Sequence, residues 1–300
     1  MSPPAPAPLE AALQLADWMA AHPRVFVLTG AGCSTASGIP DYRDEDGSWK
    51  RKPPVTYQAF VQEPLTRARY WARSFIGWPH IATARPNDTH NALADWEAEG
   101  GVSTLVTQNV DGLHQQAGSR GVIDLHGRLD QIVCLVCGQL SRRDRLQQRL
   151  GELNPDWHHR SAATAPDGDA DLEHADFHRF RVPDCDACGG LLKPDVVFYG
   201  ENVPRDRVNA AQQALASSDA MLVVGSSLMV YSGYRFARMA REVGLPLAIL
   251  TRGVTRADEL ATLKLPADCG TTLARAMHAR NEKAGGTPQR RRPASPAATL

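Results

Sequence analysis

The sequence predicts an α/β fold: a doubly wound parallel sheet, Rossmann-like but discontinuous along the chain, carrying a smaller lobe. Three observations point there. Short runs at residues 24–28, 102–106, 121–125, 220–224 and 245–250 are apolar enough to be strands buried on both faces. Helical stretches lie between several of them, the alternation that sets strands parallel. Each polar or glycine-rich motif falls just past the end of such a run, where a doubly wound sheet keeps its ligand crevice.

In chain order, residues 9–20 place Leu9, Ala12, Leu13, Leu15, Ala16 and Met19 largely on one face and stop before His22-Pro23, which predicts a first helix. The run RVFVL at 24–28 passes directly into Thr29-Gly30-Ala31-Gly32-Cys33-Ser34, a strand followed by small residues and a serine suited to cap a helix. Two segments interrupt the alternation. Residues 44–87 hold Trp49, Tyr57, Phe60, Tyr70, Trp71 and Trp78, and residues 128–194 hold four of the six cysteines. The organisation expected is a sheet domain from 9–43, 88–127 and 195–281, a helical insertion and cofactor loop at 44–87, a metal-binding module at 128–194, a flexible start at 1–8 and a disordered tail at 282–300. There is no internal repeat.

The composition, 43% hydrophobic and 22% charged over 300 residues, is that of a globular chain with a sizeable core. Lys+Arg and Asp+Glu are equal at 33 each, so no global field attracts nucleic acid or an anionic membrane. Arg290-Arg291-Arg292 sits in a Pro-, Ala- and Gly-rich tail and reads as a solvated end. The start lacks the features of a secretory signal and no apolar run has membrane-spanning length, so a cytoplasmic, non-membrane protein is expected. Thiols are kept reduced there, which makes paired CxxC spacings metal sites rather than disulfides.

Cys134-Leu135-Val136-Cys137 and Cys185-Asp186-Ala187-Cys188 are two such knuckles. Four thiolates close a tetrahedral shell, so one structural zinc is expected, with no open position for a substrate. Gly30-Ala31-Gly32 and Gly225-Ser226-Ser227 are glycine turns after two different strands, where backbone N–H groups can approach the phosphates of a dinucleotide. Asp41, Tyr42 and Arg43 follow the first turn closely. Behind the strand at 102–106 come Gln108, Asn109, Asp111 and His114, and at the end of the next run comes His126. An imidazole there, near Asn109 and Asp111, suits proton abstraction from a sugar hydroxyl. His114 fits a packing role better.

GAGCSTASGIPDYR, TQNVDGLH, LHG, the two knuckles, KPDVVFYGE and GSSL, in this order, resemble the sirtuins, the NAD-dependent protein lysine deacylases, over residues 9–279. RYWARSFIGWP, the long APDGD-containing stretch between the knuckles and VYSGYRFA resemble the class II branch. The resemblance implies NAD as co-substrate. It implies that Gly30, Ala31, Gly32 and Ser34 hold phosphate and ribose, with Asp41, Tyr42 and Arg43 beside them on the cofactor loop. Gln108, Asn109 and Asp111 would line the nicotinamide ribose pocket, with Asp111 and Ile39 at the carboxamide. Gly225, Ser226 and Ser227 would take phosphate and ribose from the other side, and Thr251 and Cys269 would border the adenosine.

His126 becomes the general base, with Asn109 and Asp111 completing the catalytic set. An acyl-lysine protein or peptide would pair along 193–201, touching Val197, Phe198, Gly200 and Glu201, and Tyr70 with Arg73 resembles a pair that holds acidic acyl groups. A monomer that binds neither nucleic acid nor membrane is expected. Mono-ADP-ribosyl transfer or lipoamidase activity in the same cleft, hydride transfer, and a non-catalytic NAD-binding module are the alternatives. Three positions depart from the family pattern: Thr251 where asparagine is usual, Ser232 where proline is common, and Asp44 in place of a small residue.

Overall fold

Consecutive residues of a strand point to opposite faces, so a run that is apolar throughout must be covered on both sides. The computed structural model, which describes residues 8–50, 54–158 and 176–283, meets that demand with helices on each face. The polybasic tail and the APDGD stretch lie outside the described residues, as does the expected flexible start apart from Pro8. In order, the elements are α1 (Pro8–Ala21), β1 (Val25–Thr29), α2 (Tyr57–Gln62), α3 (Pro64–Thr83), α4 (Asp88–Ala98), β2 (Val102–Thr107), α5 (Leu113–Ala117), β3 (Val122–Asp124) and β4 (Gly127–Cys134). Then come β5 (Leu140–Arg142), α6 (Arg143–Leu153), β6 (Leu192–Val196), α7 (Arg205–Ala216), β7 (Ala220–Val224), α8 (Tyr231–Glu242), β8 (Leu247–Leu250), β9 (Leu263–Leu265) and α9 (Cys269–Lys283).

Six parallel strands form the main sheet in the order β3-β2-β1-β7-β8-β9. Val25 and Val27 of β1, Leu222 and Val224 of β7, and Ala248 and Leu250 of β8 face a layer built by α1, α4 and α9. Their neighbours Phe26 and Leu28, Met221 and Val223, and Leu247 and Ile249 face α7 and α8. The chain leaves β1 for one half of the sheet and returns at β7 to build the other. The crevice beyond the C-terminal ends of β1 and β7 is therefore the switch point of the topology.

Several expected boundaries move for local reasons. The last strand before β9 starts at Leu247 rather than 245, because Pro246 has no N–H to give the ladder; it contributes its carbonyl to Met221 N at 2.9 Å. β9 is too short to show in the sequence. Pro8 opens α1 instead of belonging to a loose start, and α9 carries two residues of the expected tail, Glu282 and Lys283. No helix among the described residues is long and apolar enough to cross a membrane.

The second lobe pairs β5, β4 and β6 antiparallel. The two interrupting segments do not form separate units: Phe60, Trp71 and Phe75 from the first share one apolar cluster with Leu146, Leu150 and Leu192 from the second. Arg143 is buried in it, with its guanidinium 5.6 and 5.2 Å from the Trp71 and Trp78 rings and a bond to the Ser74 carbonyl.

At the far end of β4 the knuckle turns converge. The sulfurs of Cys134, Cys137, Cys185 and Cys188 all lie within 4.8 Å of one another, with Cys134–Cys188 at 3.5 Å and Cys137–Cys185 at 3.9 Å. A disulfide would bring sulfurs to about 2 Å. Tetrahedral zinc with bonds of about 2.3 Å sets its thiolates about 3.8 Å apart, which these spacings fit. None of the four lines the crevice of the main sheet, so zinc here would join β4 to the turn before β6 and supply no chemistry. Replacing Cys185 with serine should abolish stoichiometric zinc, measured by metal analysis of the purified protein, and lower the thermal midpoint. Full metal retention in that variant would contradict the four-thiolate site.

Candidate active site

A cavity of about 1010 Å³ occupies the switch-point crevice and extends under the second lobe. That reaches the upper end of the roughly 300–1,000 Å³ usual for ligand sites. Its floor is made by two strand ends in very close approach. Gly32 N donates to Gly225 O at 2.8 Å and Gly30 N to Val224 O at 3.1 Å. Gly225 has φ of +61°, and a Cβ there would come within 2.5 Å of Cys33 N. Only glycine lets the two turns meet, and Gly30, Ala31, Gly32, Gly225, Ser226 and Ser227 all line the cavity.

Ser34 does not cap an α-helix. The chain after β1 makes two short 3₁₀ turns, Ala31–Cys33 and Thr35–Ser37, and the Ser34 side chain makes no capping bond. Its hydroxyl is committed elsewhere, donating to Asp111 Oδ2 at 2.7 Å and accepting from Asn109 Nδ2 at 3.0 Å. The helix that follows the turn in space is α4, whose cap residue Asn87 accepts from Thr89 N and donates to Cys33 O at 2.8 Å. Its Nδ2 thus ties the start of α4 to the glycine turn.

The run after β2 is woven into both turns. Asn109 Nδ2 also donates to Gly30 O at 3.0 Å, Gln108 Nε2 donates to Ser226 Oγ at 2.6 Å, and Asp111 Oδ1 accepts from Leu113 N at 2.9 Å. Gln108, Asn109 and Asp111 face the cavity with Ile39, while His114 does not. His114 is buried behind them, its Nε2 2.9 Å from Thr29 Oγ1, and burial and the neighbouring His90 hold its pKa well below the ordinary value. It is a packed histidine.

His126 sits between β3 and β4 and lines the cavity. Gly127 must follow it: φ is +82°, and a Cβ would lie 1.9 Å from the Asp195 carbonyl oxygen. The His126 carbonyl accepts from Val197 N at 2.8 Å, which sets the ring beside residues 197–201. Nδ1 lies 3.0 Å from the Gln108 carbonyl and Nε2 lies 2.7 Å from Ser232 Oγ. Burial pushes the pKa down to about 4; the Gln108 carbonyl opposes this, and Arg207 and Arg235 add to it. The neutral ring places its proton on Nδ1, because a carbonyl can only accept, and Nε2 is left as the acceptor.

At the rim, Arg43 lies 4.1 Å over the Trp49 ring and donates to Gly47 O at 2.8 Å, while Asp41 pairs with Lys50 at 2.6 Å. Tyr42 meets Trp49 edge-on, and Trp49 meets Tyr199. Residues 41–43 thus reach the cavity already tied to Gly47, Trp49 and Lys50. Val197, Phe198, Gly200 and Glu201 line the opposite wall. Glu201 accepts from Phe198 N at 2.9 Å and pairs with the buried Lys193 at 3.2 Å. Thr251 and Cys269 border the end under β8 and α9.

One expected pairing is not formed at the cavity, and one departure from the family pattern gains a contact. Tyr70 and Arg73 are not brought to the cavity together: Tyr70 lines it with its ring edge-on to Phe60, and Arg73 is not among the lining residues. Ser232, a departure from the family pattern in the sequence, is in direct contact with the imidazole. Arg235, one turn further along α8, also lines the cavity; the tripeptide Ser-Gly-Tyr before it gave no sign that α8 turns this face inward.

Residues 30–232 match the model of the Sir2 family. The chain is 60% identical over 260 residues to a protein of Bradyrhizobium diazoefficiens named NAD-dependent protein deacetylase 2, covering 87% of this chain and 95% of that one. It is 59% identical to the NAD-dependent protein deacetylase of Xanthomonas campestris pv. campestris, over 87% of this chain and 89% of that one. Among solved structures, a Sir2 homolog–NAD complex superposes with a TM-score of 0.69 at 29% identity, covering 90% of this chain and 94% of that one. A Sir2–p53 peptide–NAD+ complex gives 0.69 at 29% identity, covering 91% and 98%. The glycine turns, the polar run behind β2 and the strand-end histidine lie within the matched span, and the chain belongs to the Sir2 family.

Proposed function

We propose that the protein is an NAD-dependent protein lysine deacylase that breaks the nicotinamide–ribose bond and transfers the acyl group of acyl-lysine to ADP-ribose. The observation that carries this is His126, held neutral with Nε2 as acceptor, lining a cavity between the paired glycine turns and residues 197–201. The relatives named NAD-dependent protein deacetylase and the neighbouring structures with NAD and a peptide support it.

NAD, when bound, supplies a cationic leaving group on an anomeric carbon, so the protein has to orient a weak nucleophile and manage one proton. Gly30, Ala31, Gly32 and Ser34 on one side, and Gly225, Ser226 and Ser227 on the other, offer backbone N–H and hydroxyl groups to phosphates and riboses. Gln108, Asn109 and Asp111 line the nicotinamide ribose pocket, with Asp111 and Ile39 at the carboxamide. Asp41, Tyr42 and Arg43 close the rim, and Thr251 and Cys269 border the adenosine.

Val197, Phe198, Gly200 and Glu201 form the wall along which a peptide pairs through main-chain bonds. His126 then takes a ribose hydroxyl proton on Nε2. In this order the amide oxygen of acyl-lysine would first displace nicotinamide at the anomeric carbon, the sugar oxygen that keeps the electron pair would add to the acyl carbon, and water would release lysine and leave the acyl group on ADP-ribose. Four of the six cysteines are placed to hold zinc as thiolates, which suits a compartment that keeps thiols reduced, and we place the protein in the cytoplasm.

His126→Ala should lower nicotinamide release with an acetyl-lysine peptide by about 10²–10⁴-fold while retaining NAD binding, measured by product chromatography and calorimetry. Mass spectrometry of the peptide should show free lysine. A retained ADP-ribose adduct would assign mono-ADP-ribosyl transfer instead, and a rise in reduced-nicotinamide absorbance would assign hydride transfer. Because burial holds the His126 pKa near 4, the rate should stay level as the pH falls through the ordinary histidine value of about 6.5 and decline only on approach to 4. Stability follows a different window. The unfolded ring binds its proton near 6.5 and the folded ring near 4, so unfolding is favoured progressively as the pH falls between these values. A thermal-unfolding series over that range should show a falling midpoint.

A further inference from the structure

Both nitrogens of the His126 ring are held, and by different elements. The Gln108 carbonyl at the end of β2 fixes Nδ1–H, and the Ser232 hydroxyl in the first turn of α8 meets Nε2 at 2.7 Å. Nε2 has one in-plane lone pair and holds one strong hydrogen bond at a time. Ser232 holds it here. That contact rests on close packing: a Cβ on the next residue, Gly233, would stand 2.4 Å from Gln108 Oε1, so a glycine there lets α8 reach the Gln108 side chain. Gln108 is in turn fixed by its 2.6 Å bond to Ser226. Ser232 is 8% exposed, and a hydroxyl buried to that degree needs a partner; among the described residues the imidazole is the one it meets.

We propose that Ser232 is the positioning residue for the base, donating to Nε2 so that the ring stays in its acceptor tautomer and faces the cleft until a sugar hydroxyl replaces it. This rests on the reading of His126 as the base of the NAD reaction. The replacement is one donor for another on the same lone pair, so the ring need not turn when the co-substrate arrives. When the base acts, the sugar O–H bond breaks, the Nε2–H bond forms and the electron pair stays on the sugar oxygen. The new N–H then requires an acceptor. A hydroxyl serves here as well, because rotation about Cβ–Oγ turns Ser232 from donor to acceptor. An alanine could do neither. The charged groups facing the ring are Arg207 on α7, itself paired with Asp195 at 3.1 Å, and Arg235 on α8. Both are cations, so they also favour the neutral ring but cannot orient it.

The test compares wild type, Ser232→Ala and Ser232→Thr as purified zinc-loaded full-length proteins. Nicotinamide release is followed against pH and NAD concentration, and the His126 ring nitrogens are read by 15N NMR without substrate. Alanine should lower kcat about tenfold and leave the NAD dissociation constant within about twofold. It should also move the acidic limb of the rate profile to higher pH, because losing the donor to neutral Nε2 and admitting water both favour the protonated ring. Threonine, which keeps the hydroxyl, should return kcat to within about threefold of wild type. In the substrate-free spectrum Nε2 should change its shift in the alanine variant while Nδ1 stays protonated. Unchanged kcat and pH profile in alanine, or threonine as slow as alanine at an equal thermal midpoint, would overturn the proposal. Wild type that releases no nicotinamide would remove the functional reading alone, since the 15N shift still reports whether Ser232 holds Nε2.

Discussion

The hydrogen bond from His126 Nδ1 to the Gln108 carbonyl is the constraint on which the chemistry of the cleft depends. It joins the ends of β2 and β3, neighbours in the main sheet, and it decides which ring nitrogen is free. A carboxylate in that place would have drawn the ring toward its charged form. A carbonyl is a weaker partner and, with burial and two nearby arginines, leaves the ring neutral. The tautomer of His126 is therefore set by the protein itself, and Gln108 must be rigid for that to hold. Its side-chain bond to Ser226 makes the carbonyl part of the contact between the two glycine turns.

A layer of buried polar groups supports this arrangement from below. Thr29 and Thr107, the last residues of β1 and β2, hydrogen-bond to each other at 2.8 Å, and Thr29 also meets His114. Parallel ladders end in unsatisfied backbone groups, and such side chains occupy the space where water would otherwise enter. Asn109 and Ser34 continue the layer upward to Asp111. The polar residues of the cleft are thus anchored to the sheet rather than carried on free loops, so their positions follow from strand register. The cost is backbone strain at one point: Leu228, with φ of +55°, is the sole non-glycine residue with positive φ among those described, and its side chain is buried. A strained residue persists where packing over-determines it, and here it lies in the second glycine turn.

Much of this was legible in the sequence because it is carried by short-range pattern. Strands apolar on both faces announce a sheet covered twice, and residues 220–224 match their strand without adjustment. The glycine turns, the polar run at 108–111 and the knuckles declare themselves by spacing. What was not legible depends on which face of a helix turns inward. α8 has serine and arginine three residues apart, a pattern equally suited to solvent, and only the packing of Gly233 on Gln108 shows that this side meets the histidine. Tyr70 and Arg73 show the converse. Their spacing suggested a joint role, yet Tyr70 is drawn into an aromatic cluster with Phe60 and Phe198 and Arg73 does not reach the cavity. Ser34 looked like a helix cap, but a nearby carboxylate and amide competed for its hydroxyl.

The two lobes divide the work in a way that follows from their packing. The main sheet carries the glycine turns, the 108–111 run and α8, while the wall at 197–201 hangs from β6, a strand of the small sheet. His126 stands at the junction, since its side chain is fixed by β2 and α8 and its carbonyl pairs with Val197 at the end of β6. Any shift of the small lobe therefore acts on the backbone of His126 and not only on the wall opposite it. The knuckles stabilise β6 from its other end, and the fused aromatic core stabilises β4, so the small lobe is stiffened at both ends of the segment that reaches the cleft. A metal held by the four thiolates would join the Cys134 end of β4 to the turn before β6, while a register shift between Arg128 and Ile132 separates that end from the one where His126 and residues 197–201 meet.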